Sequence, residues 1–187
     1  MKLTIRTALA TIFVGVNLLS LGVILYESSN YDNYYWQGRS AILDSGSTNT
    51  LVNSVAITKD FTTGKIVVRI TVSATNPTNY LGFTLAAFDL NLFFVHAGNV
   101  SESLFQPLDQ QLLANTRLDR PLDPKSTVST DFLLTFNSAQ SSSYQMFNQT
   151  YNGNVDAHVV LLTVVSSFLD AVYGPMTTLK QQEIPVS

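Results

Sequence analysis

The chain has 187 residues, 45% of them hydrophobic and 12% charged, so it is charge-poor against the roughly 25% of an average soluble domain. Two histidines and no cysteine exclude disulfides, thiolate metal sites, iron–sulfur clusters and a cysteine nucleophile, and leave little for histidine-dependent catalysis. A formal charge of −3 argues against a nucleic-acid partner, which needs a basic stripe to meet phosphates.

From Thr7 to Tyr26 no residue is charged. As a helix this run spans about 30 Å, the thickness of a bilayer's hydrocarbon core. Lys2 and Arg6 precede it, while Glu27 and Asp32 follow it. The positive-inside rule then puts the N-terminus in the cytoplasm and the rest of the chain outside. The competing reading is a cleaved signal peptide, whose apolar part is roughly 7–15 residues long and ends in small residues. Val23-Ile24-Leu25-Tyr26-Glu27 is a poor cleavage sequence. Residues 1–28 are therefore expected to be an uncleaved signal-anchor, a single transmembrane helix in the plasma membrane, with the lipid bilayer as partner through residues 7–26.

Residues 29–50 read as an aromatic juxtamembrane segment and linker. Tyr26, Tyr31, Tyr34, Tyr35 and Trp36, the sole tryptophan, are expected at the headgroup level, where a ring is half buried and its polar tip stays wet. The alternative makes this collar a docking surface for a protein partner or a second copy. Asp44 to Thr50 is polar and small-residued, which suits a linker.

Beyond it, residues 51–187 follow a period of two. Ile66, Val68, Ile70, Val72 and Ala74 share one strand face; Ala86, Phe88, Leu90, Leu92 and Phe94 share another, with Phe93 turned the opposite way and less protected. Val128, Thr130, Phe132, Leu134 and Phe136 repeat the pattern, and an opening strand offers Leu51, Val55 and Ile57. The apolar stretch 155–168 suits a central strand covered on both faces, and its β-branched content favours strand over helix. Turn signals separate the runs at Thr63-Gly64, Asn76-Pro77, Ala97-Gly98, Pro121 to Pro124 and Gly174-Pro175. Gln140 to Ser143 is a low-complexity patch. Six or seven such strands around one core predict an all-β, antiparallel β-sandwich behind one N-terminal transmembrane helix.

The stretch IVVRITVSATNPTNYLGFTLAAFDLNLFF resembles the core of the late-embryogenesis-abundant group 2 domain, also called the water-stress and hypersensitive-response domain. Asn76-Pro77-Thr78 matches the first two positions of that family's Asn-Pro-Asn turn and departs at the third. Leu122-Asp123-Pro124-Lys125-Ser126 resembles its proline-serine approach to the next strand, and Gln182-Glu183-Ile184-Pro185-Val186 its closing segment. The similarity covers roughly 55–187. It implies a fibronectin-III/immunoglobulin-like sandwich without catalytic residues, associated with stress tolerance, which in membrane-anchored versions stands outward on one N-terminal helix.

Candidates for chemistry are few. His96 and His158 have no acidic neighbour at ligand spacing and read as structural. Asp109, Asp119 and Asp123 fall in a long 107–125 connection without a calcium-loop pattern and read as turn residues. No phosphate loop, G-x-S-x-G elbow or H-E-x-x-H occurs. No catalytic, cofactor-binding or metal-binding residue is assigned, no cofactor is expected, and the chain is read as a non-enzyme. Asn99-Val100-Ser101 and Asn148-Gln149-Thr150 are glycosylation sequons, both expected in loops of a cell-surface glycoprotein. Three roles follow: an anchored structural or binding module at the cell envelope, a pilin- or archaellin-like filament subunit assembling through its N-terminal helix, or an accessory subunit of a larger membrane complex.

Overall fold

Helix α1 (Ile5–Leu43) does not end where the charge-free run ends but continues unbroken for 39 residues, about 58 Å. The computed structural model describes residues 5–43, 49–60, 63–105 and 112–186; Lys2, Asp109 and most of the expected 44–50 linker lie outside them. The reason for the continuation is periodic. Tyr31, Tyr34, Tyr35, Gly38 and Ile42 recur at helical spacing and form a stripe that packs on the sandwich, burying Tyr35, Gly38 and Ile42. The expected juxtamembrane linker is therefore helical as far as Leu43.

Eight strands follow among the described residues. One antiparallel sheet has the order β1 (Thr50–Lys59), β2 (Ile66–Thr75), β6 (Thr127–Thr135). In the other, β3 (Phe83–His96) lies between β7 (Asp156–Ser167) and an edge shared by β4 (Asn99–Leu104) and β5 (Leu112–Pro121), and β8 (Met176–Pro185) closes the far side of β7. The two sheets face each other across an apolar core of aliphatic side chains and phenylalanines, a sandwich-like arrangement as the period-two pattern predicts. Gln182 of β8 spans the open side: its amide accepts from Val52 N at 3.1 Å and donates to Val52 O at 2.9 Å.

Two bulges revise the expected faces. The register of β1 against β2 slips between Val52 and Ser54, so Val52, not Leu51, is buried with Val55. Strand β3 slips between Leu85 and Ala87, which places Phe83 and Leu85 in the core with Phe88, Leu90, Leu92 and Phe94 and leaves Ala86 half-exposed. Strand β7 is central and not helical, but its second face (Val160, Leu162, Val164) is half-exposed instead of covered. The 107–125 connection contains β5. The low-complexity patch lies in helix α2 (Ser138–Thr150), where Asn137 and Gln140 form a reciprocal capping box. A short helix α3 (Asp170–Tyr173) joins β7 to β8.

Phe93 needs a further correction. Its ring is on the outer side of β3 yet only 6% exposed, matching the 5% of inward-facing Phe132, because His158 from the paired strand stacks on it at 4.4 Å. Replacing either phenylalanine with alanine is expected to cost about 3–5 kcal/mol. Thermal melts of the detergent-solubilised chain check this: both variants fall to similar midpoints, whereas Leu133→Ala, 61% exposed on β6, stays near the parent.

Candidate functional site

The junction between α1 and the sandwich is built from one buried amide outward. Asn76 follows β2 and is fully buried. Its Nδ2 donates to the carbonyls of Tyr80 (2.8 Å) and Leu122 (3.0 Å), and its Oδ1 accepts from the backbone N–H (3.0 Å) and hydroxyl (2.8 Å) of Thr78. Pro77 fixes φ inside this Asx turn, and the Thr78 hydroxyl in turn accepts from Tyr80 N at 3.2 Å. Leu122 N donates to Phe83 O at 2.9 Å, Lys125 N to Thr78 O at 3.2 Å, and the Lys125 ammonium to Pro77 O. The Asn-Pro turn and the 122–126 segment are thus one hydrogen-bonded unit.

That unit presents Tyr80 and Phe83 to α1. Tyr31 and Tyr35 lie 4.6 and 5.3 Å from Tyr80 between ring centroids, and Tyr35 lies 5.9 Å from Phe83. From the other side, Phe168 packs on Tyr31 at 6.2 Å, and Tyr173 on Tyr35 and Trp36 at 5.7 and 4.7 Å. Arg39 reaches the last carbonyls of α3, donating to Gly174 O at 3.0 Å and Tyr173 O at 3.1 Å. The Tyr80 hydroxyl shares a 2.7 Å hydrogen bond with Ser167, and burial pushes its pKa up to about 12.

Of the five aromatic candidates, Tyr26 is exposed, Trp36 and Tyr31 sit at the rim of this cluster, Tyr34 is half-buried against the core, and Tyr35 is sealed inside. Tyr35 is therefore unavailable to headgroups or to a partner. The helix approaches closely here: a Cβ on Gly38 would overlap the Phe83 ring, whereas Gly15 and Gly22 have open space around them. Sequence reasoning missed Arg39, Tyr80 and Tyr173, although the 3.6-residue spacing of Tyr31, Tyr35, Gly38 and Ile42 marks the docked face.

The remaining candidates lie apart. His96 Nδ1 is 2.7 Å from the carbonyl of Asn154, and its ring stacks on Tyr151 at 4.2 Å. His158 faces Glu183 across the β7–β8 pairing, with Nδ1 3.3 Å from Oε1, an acidic neighbour that linear spacing hides. Asp119 lies in the last part of β5 in an exposed pair with Arg117 at 2.7 Å, and the backbone carbonyl of Asp123 accepts from Ser126. Among the described residues no group of three or more His, Asp or Glu could hold a metal ion. Asn99 opens β4 on the exposed side of a hairpin turn, while Asn148 sits half-buried on α2, not in a loop. A shallow depression on the outer face of the larger sheet is lined by Asp89, Asn91, Leu113, Val160, Leu162 and Leu179, and Asn91 Oδ1 is buried there without a hydrogen-bond partner.

No protein-family model matches the chain, and neither does any curated protein. Among solved structures, it is similar to a crystal structure from Archaeoglobus fulgidus at 10% identity, covering 73% of this chain and 98% of that one with a TM-score of 0.40. A solution structure from Arabidopsis thaliana shares 15% identity over 75% of this chain and 83% of its own, with a TM-score of 0.45. A candidate late embryogenesis abundant protein shares 12% identity over 87% of both chains, with a TM-score of 0.30. None of these assigns the chain to a family.

Two variants test the junction. Alanine normally gains up to about 1 kcal/mol over glycine in a helix interior. Gly38→Ala is expected to lower the melting midpoint instead, because its methyl group displaces Phe83, and Gly22→Ala is expected not to. The second test is alkaline. Folding keeps the Tyr80 phenol neutral, so this contribution is complete below its ordinary pKa near 10 and is lost as pH rises toward about 12. Tyr80→Phe should make the fall in stability between pH 10 and 12 shallower. At neutral pH it should cost about 0.5–1.5 kcal/mol for the lost Ser167 bond.

Proposed function

We propose that this protein is a single-pass, membrane-anchored β-sandwich of the late-embryogenesis-abundant type. Its N-terminus is cytoplasmic, and its domain acts without catalysis as a structural or binding module at the outer face of the plasma membrane. The observation that carries this reading is the division of α1. Ile12, Phe13, Leu18, Leu19 and Ile24 all stand exposed, while the same helix from Tyr31 onward is packed on the sandwich. An apolar surface that large calls for a cover, and the helix is long and apolar enough to cross a bilayer.

Support for the family type, and for its fibronectin-III-like arrangement, comes from the three motifs and from what they hold. Asn76 ties the Asn-Pro turn to Leu122, and Gln182 of the closing segment ties β8 to β1. Support for a non-catalytic role comes from the histidines, both engaged in ring stacking and hydrogen bonds. A binding role has the Asp89–Asn91 depression, with its orphan amide oxygen, as its concave surface. Of the two sequons, Asn99 is the better glycan acceptor, since Asn148 is partly buried on a helix.

Protease added to intact cells or spheroplasts is expected to digest the 51–187 domain. Full protection, under conditions that digest a known surface protein, would overturn the orientation. The size of the particle in mild detergent reports the assembly: a monomer fits the module, whereas a filament or a large complex shifts the function to one of the other two roles.

A further inference from the structure

The side of the sandwich from which α1 emerges exposes large apolar side chains at two loop tips. Leu81, in the Asn-Pro turn unit, is 71% exposed; Phe168, after β7, is 65% exposed, and Val172 on α3 is 72% exposed. Single exposed leucines are ordinary on a protein surface. These differ in being grouped beside one another around an apolar helix, with the half-exposed rings of Trp36 and Tyr173.

Their height along α1 follows from the ring contacts. Phe168 stacks on Tyr31, and Tyr80, the neighbour of Leu81, packs on the same ring. Tyr31 lies five residues beyond Tyr26, about 7.5 Å along the axis. Side chains on a helix lean toward its N-terminus, which here brings the ring lower still. A headgroup layer is roughly 5–7 Å deep on each side of the hydrocarbon. If Tyr26 marks the hydrocarbon boundary, both tips are level with that layer.

The docking contacts fix this height: Gly38 packs against Phe83, and Arg39 holds the α3 carbonyls. The charged groups nearest the tips are Asp170 and Lys125, and each is hydrogen-bonded to its own loop backbone. Asp170 accepts from Ser167 N at 2.9 Å, and the Lys125 ammonium donates to Pro77 O.

We propose that the Leu81 and Phe168 loop tips rest in the headgroup layer of the bilayer that α1 crosses, so that the sandwich lies against the membrane surface at a set angle instead of standing clear of it. This rests on the reading of α1 as a membrane anchor.

The absence of cysteine makes the test direct. Single substitutions Leu81→Cys, Phe168→Cys, Leu18→Cys and Met146→Cys in the full chain each carry an environment-sensitive fluorophore. Leu18 reports the span, and Met146, 70% exposed on α2, reports the opposite end of the domain. The chain is reconstituted in phosphatidylcholine vesicles without bromine, with bromine on the acyl carbons nearest the headgroup, which reports on 81 and 168, and with bromine deep in the acyl chains, which reports on 18. The expected result is quenching by brominated lipid at positions 81 and 168, with several-fold less quenching by aqueous iodide than at 146, unchanged when protein is diluted in lipid. Iodide access at 81 and 168 equal to that at 146, with the label at 18 quenched by lipid, overturns the proposal and leaves the anchor standing. Shielding that fades on dilution overturns it in favour of a second copy covering these loops. A label at 18 that lipid does not quench overturns the anchor reading itself, and this proposal with it.

Discussion

The fold of this protein turns on the side chain of Asn76. A buried amide is tolerated only when its donors and acceptors are met, because each orphaned group costs about 1–3 kcal/mol. Here all four hydrogen-bonding positions are filled, one of them by the carbonyl of Leu122, which is distant in sequence. The amide thereby sets the path of the chain between β2 and β3 and fastens it to the approach to β6. Tyr80 and Phe83 stand where they do because of that path, and α1 docks on Tyr80 and Phe83. No aliphatic residue, and no carboxylate, could donate to both Tyr80 O and Leu122 O.

The consequence is mechanical. A domain on a polar linker samples many orientations relative to its anchor. Here the helix that leaves the sandwich is the helix that carries the apolar run, and its last three turns are part of the domain's packing. Gly38 lets the backbone come close enough for ring-to-ring contact, and Arg39 fixes the rotation of the helix by holding two carbonyls of the β7–β8 connection. A tilt of one part is therefore a tilt of the other.

The sequence made the strands legible wherever one face is wet. Alternation in β2 and β6 gives their inward residues directly, and Val68, Ile70 and Phe132 are buried as the period predicts. It failed where one residue was inserted. A bulge changes the phase without changing composition, so Leu51 and Ala86 took the places that belong to Val52 and Leu85. It also failed where polar residues mask a helical period. In α2 and its C-cap, Tyr144, Phe147 and Tyr151 follow at steps of three and four residues among serines, glutamines and asparagines, and the Asn137/Gln140 capping box announces the start. The junction was half legible. Its aromatic residues drew notice for their type, but their spacing, which assigns them to a helix face, mattered more. The His158–Glu183 pair depends on the β7–β8 register, which no local pattern encodes.

A β-sandwich closes its faces with strands but leaves two open ends, and a chain without cysteine has no disulfide to draw them together. Both ends here are plugged by aromatic rings supplied from helices. At one end α1 brings Tyr31 and Tyr35 onto Tyr80 and Phe83; at the other, α2 brings Tyr144 onto Phe94, 4.8 Å between centroids, with Phe136 and Phe105 beside them. Strand β3 runs between the two, from Phe83 to His96, about 46 Å. Aromatic side chains suit this task because each covers a large area for few rotatable bonds. The plugs are not equivalent, however. Helix α2 closes its end and returns to the sheet through β7, whereas α1 closes its end and leaves the domain. The contacts that complete the core at that end are the same ones that hold the domain to its helix, so loosening the junction both detaches the sandwich and opens it.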